Sequence, residues 1–127
     1  MVQEKWKPFK DLDGHQYINL TTFCRNGDPV STPLWFAHDG DLIYAVAPSD
    51  AALVHHIRRN AQVEVVAQAG GGGADEVIEA MALVLPEEQT YEAKQALAVK
   101  YGLHKRLFDL RCALRGRRPI YLEITPM

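Results

Sequence analysis

Cysteine is scarce in this chain, and the two residues that occur, Cys24 and Cys112, stand far apart. Neither lies in a Cys-x-x-Cys or Cys/His spacing, so a zinc site is not indicated and no metal ligands are assigned. Two reduced thiols in a cytoplasmic protein are the expectation. Long apolar runs are missing too. None approaches the ~20 residues that a membrane-spanning helix needs. The opening stretch MVQEKWKPFKDLDG is polar, lacks an apolar centre, and does not read as a signal peptide. Charge of neither sign dominates. A net charge of −2 over 127 residues gives no basis for bulk nucleic-acid binding or for attraction to an anionic membrane. The glycine run Gly70–Gly73 is not followed by Gly-Lys-Ser/Thr, so it is no phosphate loop and reads as a flexible connection between strands. No Gly-x-Ser-x-Gly occurs, and neither cysteine has a base close to it in sequence, so no nucleophilic triad is evident.

What remains is an ordinary globular composition. A chain of this length buries roughly two thirds of its unfolded surface and needs no staple to fold. Residues 1–127 are expected to form a single domain, with 1–15 as an N-terminal extension.

The first half reads as β structure. Tyr17–Cys24 is rich in β-branched and aromatic residues, and Asn26-Gly27 after it tolerates the positive φ of a hairpin turn. Val30–Ala37 reads as the return strand. Pro33 within it cannot donate to a ladder and predicts a bulge or an unpaired stretch. Asp39-Gly40 is the next turn and Leu42–Ala47 the third strand. Pro48-Ser49-Asp50 predicts a helix start with Ser49 or Asp50 as N-cap, and Ala51–Arg59 a short helix. Gln62–Ala69 and Glu76–Leu85 read as the fourth and fifth strands. Pro86-Glu87-Glu88 predicts the start of a helix that Gly102 closes. Leu103–Leu114 reads as a second helix, with Leu107, Leu110 and Leu114 at helical spacing. Ile120–Thr125 alternates as a last strand. Six strands, one short helix and one helical pair predict a mainly β fold, a closed or nearly closed antiparallel barrel, because closure removes exposed edges. Hairpin-length turns between the first three strands argue against a doubly wound parallel sheet.

Several segments then resemble a known family. Tyr17–Phe23, the turn Asn26-Gly27, and Val30–Phe36 look like the first hairpin of the pyridoxamine 5′-phosphate oxidase-like split barrels. His56–Asn60, Lys100–Phe108 and Ile120–Pro126 resemble that family's later signatures, in the expected order over nearly the whole chain. The nearest resemblance is to the deazaflavin-dependent oxidoreductase branch. It implies a six-stranded, Greek-key split barrel that works as a homodimer, with FMN or a deazaflavin (coenzyme F-420) in the cleft between two barrels. It also implies hydride transfer to or from a small conjugated substrate. By the same resemblance, Ser31, Thr32, Pro33, Leu34 and Trp35 run along the cofactor ring. Ala47, Pro48, Ala51, Ala52, Leu53 and His56 line the phosphate side, and Gln68 lies nearby on the fourth strand. Catalytic residues are not assigned, since in such chemistry the cofactor reacts and the protein positions it.

The residues support two readings of this region. Pro33 leaves a carbonyl available to a ring N–H, and Trp35 offers an apolar wall. Equally, Trp35 serves packing and Pro33 protects an edge. On the phosphate side the chain departs from the family pattern. Ala47, Ala51, Leu53 and His56 stand where relatives carry Thr, Ser, Lys and Arg. Each lost charge-assisted bond is worth roughly 1.5–3 kcal/mol. His55 and His56 point about 100° apart on a helix and cannot chelate one metal. Arg111, Arg115, Arg117 and Arg118 end the second helix, where they complement its dipole or form a rim near an acidic or phosphorylated ligand. The oxidoreductase reading therefore stands beside an alternative, a cofactor-free protein that uses the same cleft for another small ligand.

Overall fold

The computed structural model describes residues 17–67 and 77–127. Gln68 and the glycine run lie outside the described residues, as do the first sixteen positions. Strands β1 (Tyr17–Phe23), β2 (Pro29–Asp39) and β3 (Leu42–Pro48) are followed by helix α1 (Ala52–Arg59). Then come β4 (Gln62–Ala67), β5 (Ile78–Val84), helices α2 (Tyr91–Tyr101) and α3 (Leu103–Leu114), and β6 (Pro119–Pro126). The strands close into one barrel in the order β1-β2-β3-β6-β5-β4, all neighbours antiparallel. This is the expected six-stranded, mainly β barrel with a short helix and a helical pair.

Alternation along the strands builds two cores. Ile18 and Leu20 of β1, Leu34 and Phe36 of β2, Ile43 and Ala45 of β3, Val63 and Val65 of β4, Ala80 of β5, and Leu122 and Ile124 of β6 fill the barrel. Leu53, Val54 and Ile57 of α1 join them as an apolar plug. The second core lies outside the wall. There Ala37, Tyr44, Val46 and Tyr121 turn away from the interior and meet Ala93, Leu97 and Tyr101 of α2. Tyr121 is therefore as buried as its inward neighbours, and β6 is covered on both sides.

Several local expectations need correction. Of the two expectations for Pro33, the bulge does not form, because β1 and β2 pair without interruption from Tyr17↔Trp35 to Phe23↔Pro29, while the unpaired stretch does, because pairing of β2 with β3 stops at Trp35↔Val46. The two-residue loop after β2 is Gly40-Asp41, since Asp39 pairs with Leu42. Gly40 takes φ +62 while Asp41 stays negative, the φ signs of a type II′ hairpin. Neither Ser49 nor Asp50 caps α1. The N-cap is Ala51, with no side-chain cap bond. Both polar side chains are engaged by the approach to β6: Ser49 Oγ accepts from the Arg118 N–H at 3.2 Å, and Asp50 pairs with Arg117 at 2.9 Å. After Pro86 the chain makes a single 3-10 turn, Glu87–Gln89, before α2. The Thr90 hydroxyl donates to the Glu87 carbonyl at 2.9 Å, closing that turn so that the α-helix propagates only from Tyr91.

Candidate functional site

Two prolines open a slot in the barrel wall. The Tyr101 hydroxyl accepts from the Phe36 N–H (3.0 Å) and donates to the Phe36 carbonyl (2.8 Å). Backbone groups of an antiparallel strand alternate sides. Phe36 and Leu34 therefore face away from β3, whereas Trp35 and Pro33 face toward it. Trp35 pairs with Val46, and there the β2–β3 ladder ends. Two residues further, the same register would set Pro33 opposite Pro48, two residues without an N–H between them. Pro48 still pairs with Pro119 of β6, and its carbonyl accepts the Ala51 N–H at 3.0 Å. The Pro33 carbonyl is left on the open side of β2, with no described strand beside it.

Next to this slot lies a cleft of about 330 Å³, walled by Trp35, Pro48, His104, Leu107, Phe108 and Cys112. Arg111, Arg115 and Arg117 also border it. Trp35 is held flat, its ring stacked on Tyr101 at 4.6 Å and 9° and tilted against Phe108 at 5.6 Å. Such contacts are worth about 0.5–1.5 kcal/mol beyond area burial, and they fix the indole plane. Burial pushes the Tyr101 phenol up to about 12, against a smaller opposing pull from its bond to the Phe36 backbone. Burial also pushes the Cys112 thiol up. Arg117 is already ion-paired with Asp50, while no ion pair of Arg111 or Arg115 is found among the described residues. The cleft thus combines a flat aromatic wall, an apolar lining and a cationic margin, which is the chemistry of a planar ligand with an anionic end.

The residues singled out in sequence are distributed over this region unevenly. Trp35 and Pro48 line the cleft. Ser31 and Pro33 are exposed on the open stretch of β2, and Thr32 is half-buried between them. Leu34, Ala47 and Leu53 turn their side chains into the barrel core, so only their backbone is left to meet a ligand. Ala51 packs against that core and Ala52 is exposed. His56 is brought instead to Thr22 and Cys24, with Nδ1 at 2.9 Å from Thr22 Oγ1. Gln68 is not among the described residues. His104, Leu107, Phe108 and Cys112 were not singled out as site residues. His104, Phe108 and Arg111 of α3 and Arg115 at its C-cap recur at helical spacing, a stripe visible in the sequence once that helix is known to pass over Trp35.

On the far side of the helical pair, Lys105 is buried. Its ammonium donates to the Tyr121 hydroxyl at 2.7 Å and pairs with Asp109 at 2.5 Å. Burial raises the Tyr121 phenol, with Lys105 pulling the other way. Among the described residues, no group of three His, Cys, Asp or Glu side chains is placed to hold a metal ion. No described helix is long and apolar enough to cross a membrane.

No protein-family model and no curated protein sequence matches the chain. Solved structures do match. A pyridoxamine 5′-phosphate oxidase-related, FMN-binding protein from Nostoc punctiforme aligns with TM-score 0.63 and 13% identity, over 99% of this chain and 83% of its own. A FAD-binding protein from Mesorhizobium loti aligns with TM-score 0.68 and 17% identity, over 91% and 82%. The heme storage protein HutZ from Vibrio cholerae aligns with TM-score 0.70 and 15% identity, over 91% and 84%. At these identities the likeness is one of fold: the chain has the split-barrel fold that FMN-binding and heme-binding proteins share.

Proposed function

We propose that the chain is a flavin-binding protein of the pyridoxamine 5′-phosphate oxidase-like kind, an oxidoreductase acting on a small conjugated substrate. The observation that carries this is the cleft over Trp35, with an indole stacked on Tyr101 and held against Phe108 beside three arginines. An apolar ring fits the wall formed by Trp35, Pro48, Leu107 and Phe108. A phosphate fits Arg111 and Arg115, which compensate for the side chains missing at Ala47, Ala51 and Leu53. The Pro33 carbonyl is available to a ring N–H. When bound, a flavin would supply hydride transfer; the chain's own residues bind it, orient it and keep water from one face. FMN-binding neighbours in structure space support FMN over the deazaflavin.

A cleft of about 330 Å³ lies at the low end of the ~300–1,000 Å³ of small-molecule sites, so one chain supplies one wall. We propose a homodimer whose second copy supplies the other. Leu103, Leu107, Leu110 and Leu114 support this, because they leave an exposed apolar stripe along α3 beside the cleft.

His104 favours a second reading. An imidazole at the cleft wall is a haem-iron ligand type, and arginines suit haem carboxylates as well as phosphate. The absorbance spectrum of freshly purified protein separates the two: flavin bands support the first and a Soret band the second. Colourless protein with no saturable binding of added FMN, deazaflavin or haem rejects both and leaves the cofactor-free ligand-binding alternative.

A further inference from the structure

The first hairpin and α1 assemble a constellation that the cleft does not use. Cys24 follows β1 directly. It is fixed in the turn by its N–H donating to the Asp28 carbonyl and its carbonyl accepting from Gly27 N–H, both at 2.9 Å. Its sulfur lies 3.8 Å from Nε2 of His56, and Nδ1 of the same ring lies 2.9 Å from Oγ1 of Thr22. Thr22 is fully buried, and α1 is anchored by Leu53, Val54 and Ile57 in the barrel core. The imidazole is therefore held from both sides of its sequence neighbourhood. Cys24 and His56 are only partly buried.

We propose that Cys24 is a reactive thiol, with His56 as its base and Thr22 as the residue that positions the imidazole, and that it undergoes exchange with low-molecular-weight disulfides. Nucleophile, base and orienting group in hydrogen-bonded sequence are the arrangement that activates a cysteine. In the tautomer this requires, Thr22 Oγ1 accepts the Nδ1 proton and Nε2 is bare to take the proton of the Cys24 thiol. The thiolate attacks one sulfur of the disulfide R–S–S–R. The Cys24–S–S–R bond forms, the original S–S bond breaks, and the departing thiolate leaves as R–SH with the proton from His56. Cys24 is oxidised to the mixed disulfide, half of the small disulfide is reduced, and excess thiol reverses the step. Cys112 is the internal control: it is buried at the wall of the cleft over Trp35, no imidazole is bonded to its sulfur among the described residues, and burial raises its thiol.

The test uses the intact protein and oxidised glutathione, with peptide mapping by mass spectrometry to give each cysteine's rate. Cys24 is expected to be modified at least about tenfold faster than Cys112 under native conditions, and the two rates to converge in urea, where the constellation is gone. His56→Asn is expected to slow Cys24 by about tenfold or more, with unchanged secondary structure by circular dichroism. Thr22→Val slows it several-fold and Thr22→Ser restores it, which loss of packing alone would not do. An unchanged Cys24 rate in a folded His56→Asn variant would overturn the proposal. So would equal native rates at Cys24 and Cys112, whatever the behaviour of the variants.

Discussion

The Tyr101 hydroxyl stands in for a neighbouring strand at Phe36, engaging both its N–H (3.0 Å) and its carbonyl (2.8 Å). One phenol thus ties the end of α2 to the barrel wall while its ring carries Trp35 on its face. Fold and cleft are joined at this residue.

Removing that hydroxyl leaves two buried backbone groups without their partner. Tyr101→Phe is expected to lower stability by about 1–3 kcal/mol, read from urea unfolding, with the aromatic stack and hence Trp fluorescence little changed.

The same phenol makes stability sensitive to alkali. The folded state holds the Tyr101 proton up to about 12, against an ordinary value of 10.0. Its contribution is complete below pH 10 and declines as pH rises toward 12, because the unfolded chain ionises first. The unfolding free energy measured between pH 9 and 12 is expected to fall more steeply in the wild type than in Tyr101→Phe.

Arg111 and Arg115 are expected to hold the anionic end of the ligand. Arg111→Ala or Arg115→Ala should weaken FMN binding by roughly 10- to 150-fold, the loss of one charge-assisted bond. Riboflavin, which lacks the phosphate, should bind wild type and variants alike. Equal losses for both ligands by fluorescence titration would place the phosphate elsewhere.

Lys105 and Tyr121 form a coupled pair. Lys105→Met should cost about 1–3 kcal/mol, since the buried Tyr121 hydroxyl loses its 2.7 Å partner. Adding Tyr121→Phe should recover part of that cost, a non-additivity that a double-mutant cycle measures directly.

The α3 leucines test the assembly. Leu110→Glu together with Leu114→Glu places charge on the exposed stripe, and should halve the sedimenting mass while leaving the barrel folded.

Much of the architecture was legible because it is written locally. Period-two alternation in Tyr17–Phe23 and Ile120–Thr125, and the glycines at the hairpin turns, fixed strands and connections within a few residues. Where reading faltered, a distant partner intervened. Ser49 and Asp50 look like caps until Arg118 and Arg117 arrive from the other end of the chain to occupy them. Pro33 suits either a bulge or an unpaired stretch, and the unpaired stretch is what forms, because its missing donor falls beyond the end of the β2–β3 ladder. A pair of prolines, Pro33 and Pro48, two residues past the last ladder pair was the available sign of an open slot.

By itself, the order of residues determined the six strands, the three helices and the barrel class, since each follows from side-chain period, turn chemistry or a run of matching segments. Only the tertiary structure decided which face of α3 crosses Trp35, that His104 and Phe108 share its cleft, and that His56 meets Cys24 across 32 positions. Those outcomes depend on how rigid elements dock, and docking is set by the summed packing of two cores, which no local window of sequence contains.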